Sequence, residues 1–264
     1  PPPLVVLSQL TLWITDMAGP WSRPLSSLVD VVWMLAAFFV CYRVFGARAA
    51  YWSAFVFMFF FGTSGMLLGA LWQYVWLASL MLMLAAVKQK SWKMAGFWIG
   101  FATATRVFPV FFLVPFVWRW WVAWREKHQE ERIAMQQVGY AFCFTMIAFC
   151  VLGLCSGLGM EGWTRFFPKM QMHSAYIVGE LFDIGWKNMV ATYLVPVYDD
   201  FARLEAYASW KWAANVFAVV ATAAIVWRNR RASLGRLLLI PLPLLFLWTV
   251  LSPYYYLILA LVPL

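Results

Sequence analysis

The chain has 264 residues, of which 64% are hydrophobic, 20% are aromatic and only 12% are charged. Soluble domains carry about 25% charged residues, so this composition excludes a water-soluble globule. The formal net charge of +9 is typical of nucleic-acid binding where basic residues form a patch. Here they lie in turns between apolar runs, so we expect a lipid bilayer, and no nucleic acid, as the partner.

Successive apolar stretches approach the roughly 20 residues that a helix needs to cross the hydrocarbon layer. They predict an all-α, polytopic transmembrane helical bundle of about eight spans or partial spans. No linker rich in Pro, Gly or Ser divides the chain, so we expect residues 1–264 to form a single domain. The chain starts at Pro1 and stops inside an apolar run, which predicts that further sequence belongs to the functional unit.

The first three predicted spans cover residues 25–42, 49–62 and 70–87, and a turn rich in Gly, Ser and Thr separates the second from the third. Arg43 and Arg48 follow the first span, and a group of lysines follows the third. Because Lys and Arg accumulate in cytoplasmic loops, these turns are predicted to face the cytoplasm.

Residues 93–119 form an apolar run that is interrupted by Arg106 and Pro109. Both flanks are basic and should share one side of the membrane, and proline removes a backbone donor. We predict two short helices that meet near Arg106 in a V-shaped excursion. Residues 118–132 mix tryptophan with charges, which predicts a helix lying in the cytoplasmic interface.

The remaining predicted spans cover residues 135–154, 212–227 and 237–251, and residues 257–264 begin a last one. Residues 155–211 lie between the first two of these spans and are predicted to form the one larger extracytoplasmic loop. Acidic residues gather on this side, whereas the arginines after residue 227 fall on the cytoplasmic side. The charge distribution therefore agrees with the positive-inside rule.

Arg106 is the one charge that this topology leaves at membrane depth. An unmatched charge there costs on the order of 3 kcal/mol, which makes it a functional-site hypothesis. A guanidinium beside a helix break suits an anionic head group, because its planar fork matches phosphate oxygens. The alternative is an arginine that snorkels to an interface.

The outer loop supplies further candidates. Lys169 and His173 are four residues apart, so a helix over residues 163–176 would place them on one face. That pair could hold a phosphate or donate to a leaving group, or it could be solvated. Glu180 and Asp183 are three apart and could act as catalytic carboxylates, as helix caps or as surface charges.

Other polar residues have two interpretations each. Asp199 and Asp200 form an acidic pair that is either solvated loop charge or part of a divalent-cation site; beyond that alternative, no metal or cofactor is predicted. Gln73 either lines a polar cavity or lies at the interface. Tyr254 and Tyr255 belong to an aromatic belt or to a wall on which a sugar stacks.

The order of these elements resembles the GT-C superfamily of integral membrane glycosyltransferases, in its bacterial polyprenyl-phosphate-mannose-dependent, alpha-mannosyltransferase-like branch. The similar segments are Pro2-Pro3-Leu4, the glycine-containing Gly100 to Pro109, the set Phe167, Lys169, His173, Ser174 and Gly185, and the Ser252 to Tyr256 segment. A polar turn common in that family is only partly matched by Gly69 to Gln73.

The resemblance implies an inverting transfer of a hexose, with mannose expected, on the extracytoplasmic face of a bacterial plasma membrane. The donor would be a polyprenyl-phosphate-linked sugar, and the acceptor a hydroxyl of a lipid or glycan. The family's first helix and its acidic general base are expected upstream of Pro1. The candidate site comprises Arg106, Lys169 and Lys187 at the donor phosphate, His173, Glu180 and Asp183 in catalysis, and Gln73, Tyr254 and Tyr255 lining the substrate.

Two other classes of function stay open. A transporter or flippase for an anionic or amphipathic solute would also place a cation at broken helices, although the sequence has no evident internal repeat. A membrane scaffold without catalysis is the third, because the acidic base is not visible. An Asp soon after a preceding span would favour the transferase.

Overall fold

The computed structural model describes residues 2–16, 22–59, 72, 74–155, 159–176, 185–196, 199–249 and 253–264. The described residues are mostly helical and include no strand, which confirms the all-α prediction. The helices are α1 Pro2–Asp16, α2 Ser22–Phe45, α3 Ala47–Phe59, α4 Val75–Lys88, α5 Trp92–Thr105, α6 Val114–Arg125, α7 Gln129–Leu154, α8 Gly159–Tyr176, α9 Trp186–Leu194, α10 Asp200–Arg228, α11 Leu234–Leu237 and α12 Pro241–Trp248, with 3-10 helices at Phe108–Leu113 and Pro253–Leu261.

Contacts divide the chain into two compact units. The first unit comprises Pro1–Phe166 with Leu257–Leu264, and the second unit comprises Phe167–Tyr256. The prediction of a single domain over the whole chain stays a prediction.

In the first unit, α2 and α4 run parallel. The backbone N–H of Tyr74, just before α4, donates to Asp30 Oδ1 at 2.9 Å, and further along both helices Cys41 Sγ lies 3.9 Å from Met81 O. Because α2 and α4 are parallel, their C-terminal ends lie at the same end of the unit. The chain reverses there between α2 and α3 at Gly46, whose φ of +87° is a conformation that glycine adopts readily.

Helices α5 and α7 are also parallel, and they approach closely through glycine. A Cβ atom added at Gly96 would lie 2.2 Å from Val138 O, and one at Gly100 would lie 2.8 Å from Thr145 Cβ. Glycines four residues apart allow helix backbones to approach in this way. Because α6 leads from the end of α5 back to the start of α7, it runs opposite to both helices. This confirms the two helices predicted to meet near Arg106, and their excursion into a membrane stays a prediction.

These directions place three turns at one end of the first unit, here called the basic end; the opposite end is the far end. The basic end carries Arg43, Arg48, Lys88, Lys90, Lys93, Arg125 and Lys127. The sequence predicted this grouping of basic turns from charge alone.

The predicted single interfacial helix over residues 118–132 is wrong. Helix α6 ends at Arg125, and the chain turns at Lys127 with a φ of +59° before α7 begins. Arg119 on α6 forms an ion pair with Glu131 on α7. The charges in this segment therefore form a turn and a cross-helix pair rather than the polar face of one helix.

Within the described residues, three helical segments are long and apolar enough to cross a bilayer: Leu28–Phe45, Gln129–Leu154 and Ala202–Arg228. On α7 the exposed positions include Tyr140, Phe144, Ile147 and Val151, which are 56–74% accessible. An exposed apolar stripe of this kind is compatible with a membrane protein, because lipid is a favourable surrounding for it. The count of about eight spans stays a prediction.

Several predicted boundaries were wrong. Helix α10 begins at Asp200 rather than near residue 212, so it takes in the end of the predicted loop 155–211; that loop also contains α8 and α9. The predicted span over residues 237–251 is divided into α11 and α12 before Pro241. Residues 257–261 belong to a 3-10 helix instead of starting an α-helical span.

Candidate functional site around Arg106

Arg106 lies at a break in the backbone. Helix α5 ends at Thr105, Arg106 itself is extended with φ −144° and ψ 132°, and the 3-10 helix begins at Phe108. Pro109 occupies the first turn of that 3-10 helix, where its missing N–H is tolerated. The sequence thus located the break correctly, because the proline stops α5 from continuing.

Arg106 is also far from the basic end. Gly100 on α5 packs against Thr145 on α7, so the two residues lie at the same height. From that height, Arg106 lies about 9 Å further along the helix axis, and α7 continues for about 14 Å. Arg106 is therefore within about one helical turn of the far end of α7, and it is half-buried. An arginine placed among the basic turns would have removed the phosphate hypothesis.

A buried carboxylate belongs to the same far end. Asp30 is fully buried in α2 and accepts a hydrogen bond from Tyr74 N. Two residues later, the buried Trp76 contacts the ring of Phe108 at 4.9 Å between centroids. Phe108 is two residues after Arg106, so α2, α4 and the helix break are linked by direct contacts.

Sequence reasoning did not include Asp30 among the candidates. The available signal was its position inside the predicted span 25–42, where a lone carboxylate marks a functional or structural site.

An apolar groove starts one turn after Arg106. It has a volume of about 390 Å³ and follows the 3-10 helix and α6 from Val110 to Trp121. Its walls are valine, leucine and tryptophan side chains, and it leads from the break towards the basic end. Arg106 does not line this groove, but it lies four residues before the first lining residue, Val110. A cation so near an apolar groove favours a molecule with an anionic head and an apolar tail.

Residues 163–176 lie within α8, so the positions of Lys169 and His173 share a helix face. Pro168 lies inside the same helix. The side chains of Lys169 and His173 fall outside the described residues, and their predicted roles stay predictions.

Lys187 is half-buried on α9. Burial lowers the pKa of its ammonium group, and the nearby positive charge of Lys211 on α10 lowers that pKa further. Lys187 belongs to the second unit with Lys169 and His173, whereas Arg106 belongs to the first unit.

The other predicted site residues are not described in full. Gln73, Glu180 and Asp183 lie outside the described residues, and so do the side chains of Tyr254 and Tyr255, whose backbone lies in the 3-10 helix Pro253–Leu261.

In the acidic pair Asp199 and Asp200, Asp199 has a structural role. Asp199 Oδ1 accepts a hydrogen bond from Ala202 N at 3.0 Å, which makes Asp199 the N-cap of α10. Among the described residues, no group of three or more His, Cys, Asp or Glu side chains could hold a metal ion. The local helix start therefore accounts for Asp199 without a cation.

Comparisons with family models, with curated proteins and with solved structures gave no match to this chain. The resemblance to the GT-C glycosyltransferases remains one of residue patterns.

Proposed function

We propose that this chain belongs to a multi-pass glycosyltransferase of a bacterial plasma membrane, which moves a hexose from a polyprenyl-phosphate donor to a hydroxyl acceptor. The observation that carries the proposal is Arg106, a half-buried cation at a helix break at the far end of the first unit. With the basic end in the cytoplasm, the far end faces outward. That orientation makes the reaction extracytoplasmic.

The chemistry asks the protein to stabilise a leaving phosphate. The acceptor oxygen attacks the anomeric carbon and gives its proton to a carboxylate base, while the bond from that carbon to the phosphate oxygen breaks. The electron pair leaves with the polyprenyl phosphate, and the configuration inverts. A guanidinium donates two N–H groups to such an oxyanion and would stabilise the negative charge as it develops.

The groove beside Arg106 suits the donor's hydrocarbon part. Its apolar wall runs from Val110 to Trp121, and a chain that enters at Arg106 would extend towards the membrane centre. Arg106 would then hold the phosphate at the outer side while the isoprenoid stays in an apolar surrounding. The roles that the sequence suggested for Lys169 and Lys187 at the donor phosphate, and for His173 in catalysis, stay predictions.

The decisive substitution is Arg106→Ala in the full-length protein. We expect sugar transfer from polyprenyl-phosphate hexoses to fall by at least about 100-fold, the effect of losing one oxyanion donor. Arg48→Ala, at the exposed basic end, is the matched control and should keep its turnover. Equal turnover in both variants, with equal amounts in the membrane, would remove Arg106 from the mechanism.

A transporter or flippase is the second candidate, and the same helix break favours it, because substrate sites of transporters form at interrupted helices. Proteoliposomes that hold a labelled polyprenyl-phosphate sugar separate the two functions. Movement of the intact lipid across the bilayer without any sugar product would support the transporter. Product formation without such movement supports the transferase.

A further inference from the structure

The second unit contains a pair of lysines on two packed helices. Trp186 Nε1 on α9 donates to Ala214 O on α10 at 3.0 Å. At the other end of α9, Arg203 Nε donates to Val195 O at 3.1 Å. The two helices therefore run antiparallel. This packing places Lys187, next to Trp186, opposite Lys211, one turn before Ala214.

Burial and the positive charge of Lys211 both lower the pKa of the Lys187 ammonium group. Lys187 is half-buried while Lys211 is exposed. Among the described residues, neither lysine forms an ion pair with a carboxylate. Two facing cations, one of them partly removed from water, are a costly arrangement unless an anion neutralises them.

The backbone next to the lysine pair also carries a partial positive charge. Helix α9 begins directly before Lys187, and its N-cap Gly185 provides no side-chain acceptor for the first N–H groups. The N-terminus of a helix carries a partial positive charge that favours anions. It adds to the attraction of the lysine pair, which itself defines the site.

Lys211 lies between Trp210 and Trp212, which are 53% and 70% exposed. Near the last turn of α10, Trp227 is 62% exposed and is followed by Arg228. The tryptophans thus flank the most apolar part of α10, residues 213–226, and exposed tryptophans on both sides of an apolar stretch are typical of the two membrane interfaces. The spacing puts Lys211 at the depth of lipid head groups, about 25 Å along the helix from Arg228.

We propose that Lys187 and Lys211 form a binding site for a phosphate group at the head-group depth of the membrane, on the α9–α10 pair. The chemistry required is a phosphate monoester or diester, which could belong to an anionic lipid or be free inorganic phosphate. The proposal stands whether or not the chain transfers a sugar, since it depends on neither Arg106 nor the groove.

The test uses the whole chain purified in dodecyl maltoside. Its thermal unfolding is followed while phosphatidylglycerol, phosphatidylcholine or inorganic phosphate is added at increasing concentration. We expect phosphatidylglycerol to raise the unfolding temperature, and the Lys187→Met/Lys211→Met double variant to weaken that binding at least about tenfold. Lys93→Met, an exposed lysine of the basic end, is the matched control and should bind like the unmodified chain.

The comparison of phosphatidylglycerol with inorganic phosphate distinguishes the two sources of the phosphate group. A similar shift with inorganic phosphate that the double variant loses identifies free phosphate as a sufficient ligand, whereas a shift with phosphatidylglycerol alone identifies the lipid. An unchanged unfolding temperature with both probes, or the same shift in the double variant as in Lys93→Met, overturns the site. Intact circular dichroism of the double variant ensures that lost binding does not reflect lost folding.

Discussion

Arg106 in the first unit directly follows helix α5, Lys187 in the second unit lies on helix α9, and both are half-buried cations. The two helices are held in different ways. Helix α5, which leads to Arg106, packs against α7 through bare backbone at Gly96 and Gly100. Helix α9, which carries Lys187, is held by large side chains, chiefly Trp186 against α10. Added atoms should disrupt the packing of α5 on α7, whereas the removal of side-chain atoms should weaken the packing of α9 on α10.

The largest effect is expected from Gly96→Ala. The added methyl group would meet Val138 O at 2.2 Å, so the helices must separate, at a cost of about 3 kcal/mol. Chemical denaturation in detergent would measure this loss. Gly139→Ala on α7 is the control, because nothing lies within 4 Å of its new Cβ; equal unfolding of the two variants would contradict the close packing of α5 on α7.

A smaller loss is expected when the buried acceptor at the far end is removed. Asp30→Ala leaves the N–H of Tyr74 without the carboxylate oxygen it donates to, which costs about 2 kcal/mol. Asp30→Asn keeps an oxygen at the same position and should lose less. The order of the two variants in a denaturant titration checks the hydrogen bond. An equal loss in both would show that the negative charge, which both lack, matters rather than the acceptor.

In the second unit, Trp186→Phe tests the role of a side chain in holding α9. Phenylalanine can still stack on Phe217, whose ring lies 4.2 Å from that of Trp186, but it cannot donate to Ala214 O. We expect the free energy of unfolding to fall by about 1 kcal/mol, as measured by chemical denaturation in detergent. Trp212→Phe, at an exposed position, should cost less, and a larger loss there would contradict the assignment.

The smallest expected effect is a pH dependence. Because the pKa of Lys187 is lowered in the folded chain, the unfolded chain binds more protons between that lowered pKa and the ordinary value near 10.4. The free energy of unfolding should therefore rise with pH across this interval. Lys187→Met should flatten the rise and Lys93→Met should not, as judged from denaturation at several pH values in buffer without phosphate.

Much of the first unit was predictable because its signals are local. The basic turns around Arg43 and Lys88 gave the directions of the helices, and Pro109 gave the break after Arg106. The interfacial helix over residues 118–132 failed for the opposite reason: the ion pair between Arg119 and Glu131 joins two helices, and sequence spacing does not reveal which charges meet across a turn.

The candidate site was predicted less completely than the fold. Arg106 was identified because a single charge inside an apolar run is visible in a sequence. Asp30 was missed, since its partner Tyr74 is 44 residues away, and the pairing of Lys187 with Lys211 likewise needs two helices to pack. The start of α10 was misplaced because its first turns are polar, and hydropathy alone does not register the cap supplied by Asp199.

By itself the sequence determined an all-helical chain rich in apolar helices, with basic turns at one end and one cation away from them, because hydrophobicity, charge and proline act within a few residues. Only the tertiary structure decided which backbones touch at Gly96 and which carboxylate caps α4. It also decided which lysines face each other. Those properties depend on contacts between residues distant in the chain, where packing, not local propensity, sets the geometry.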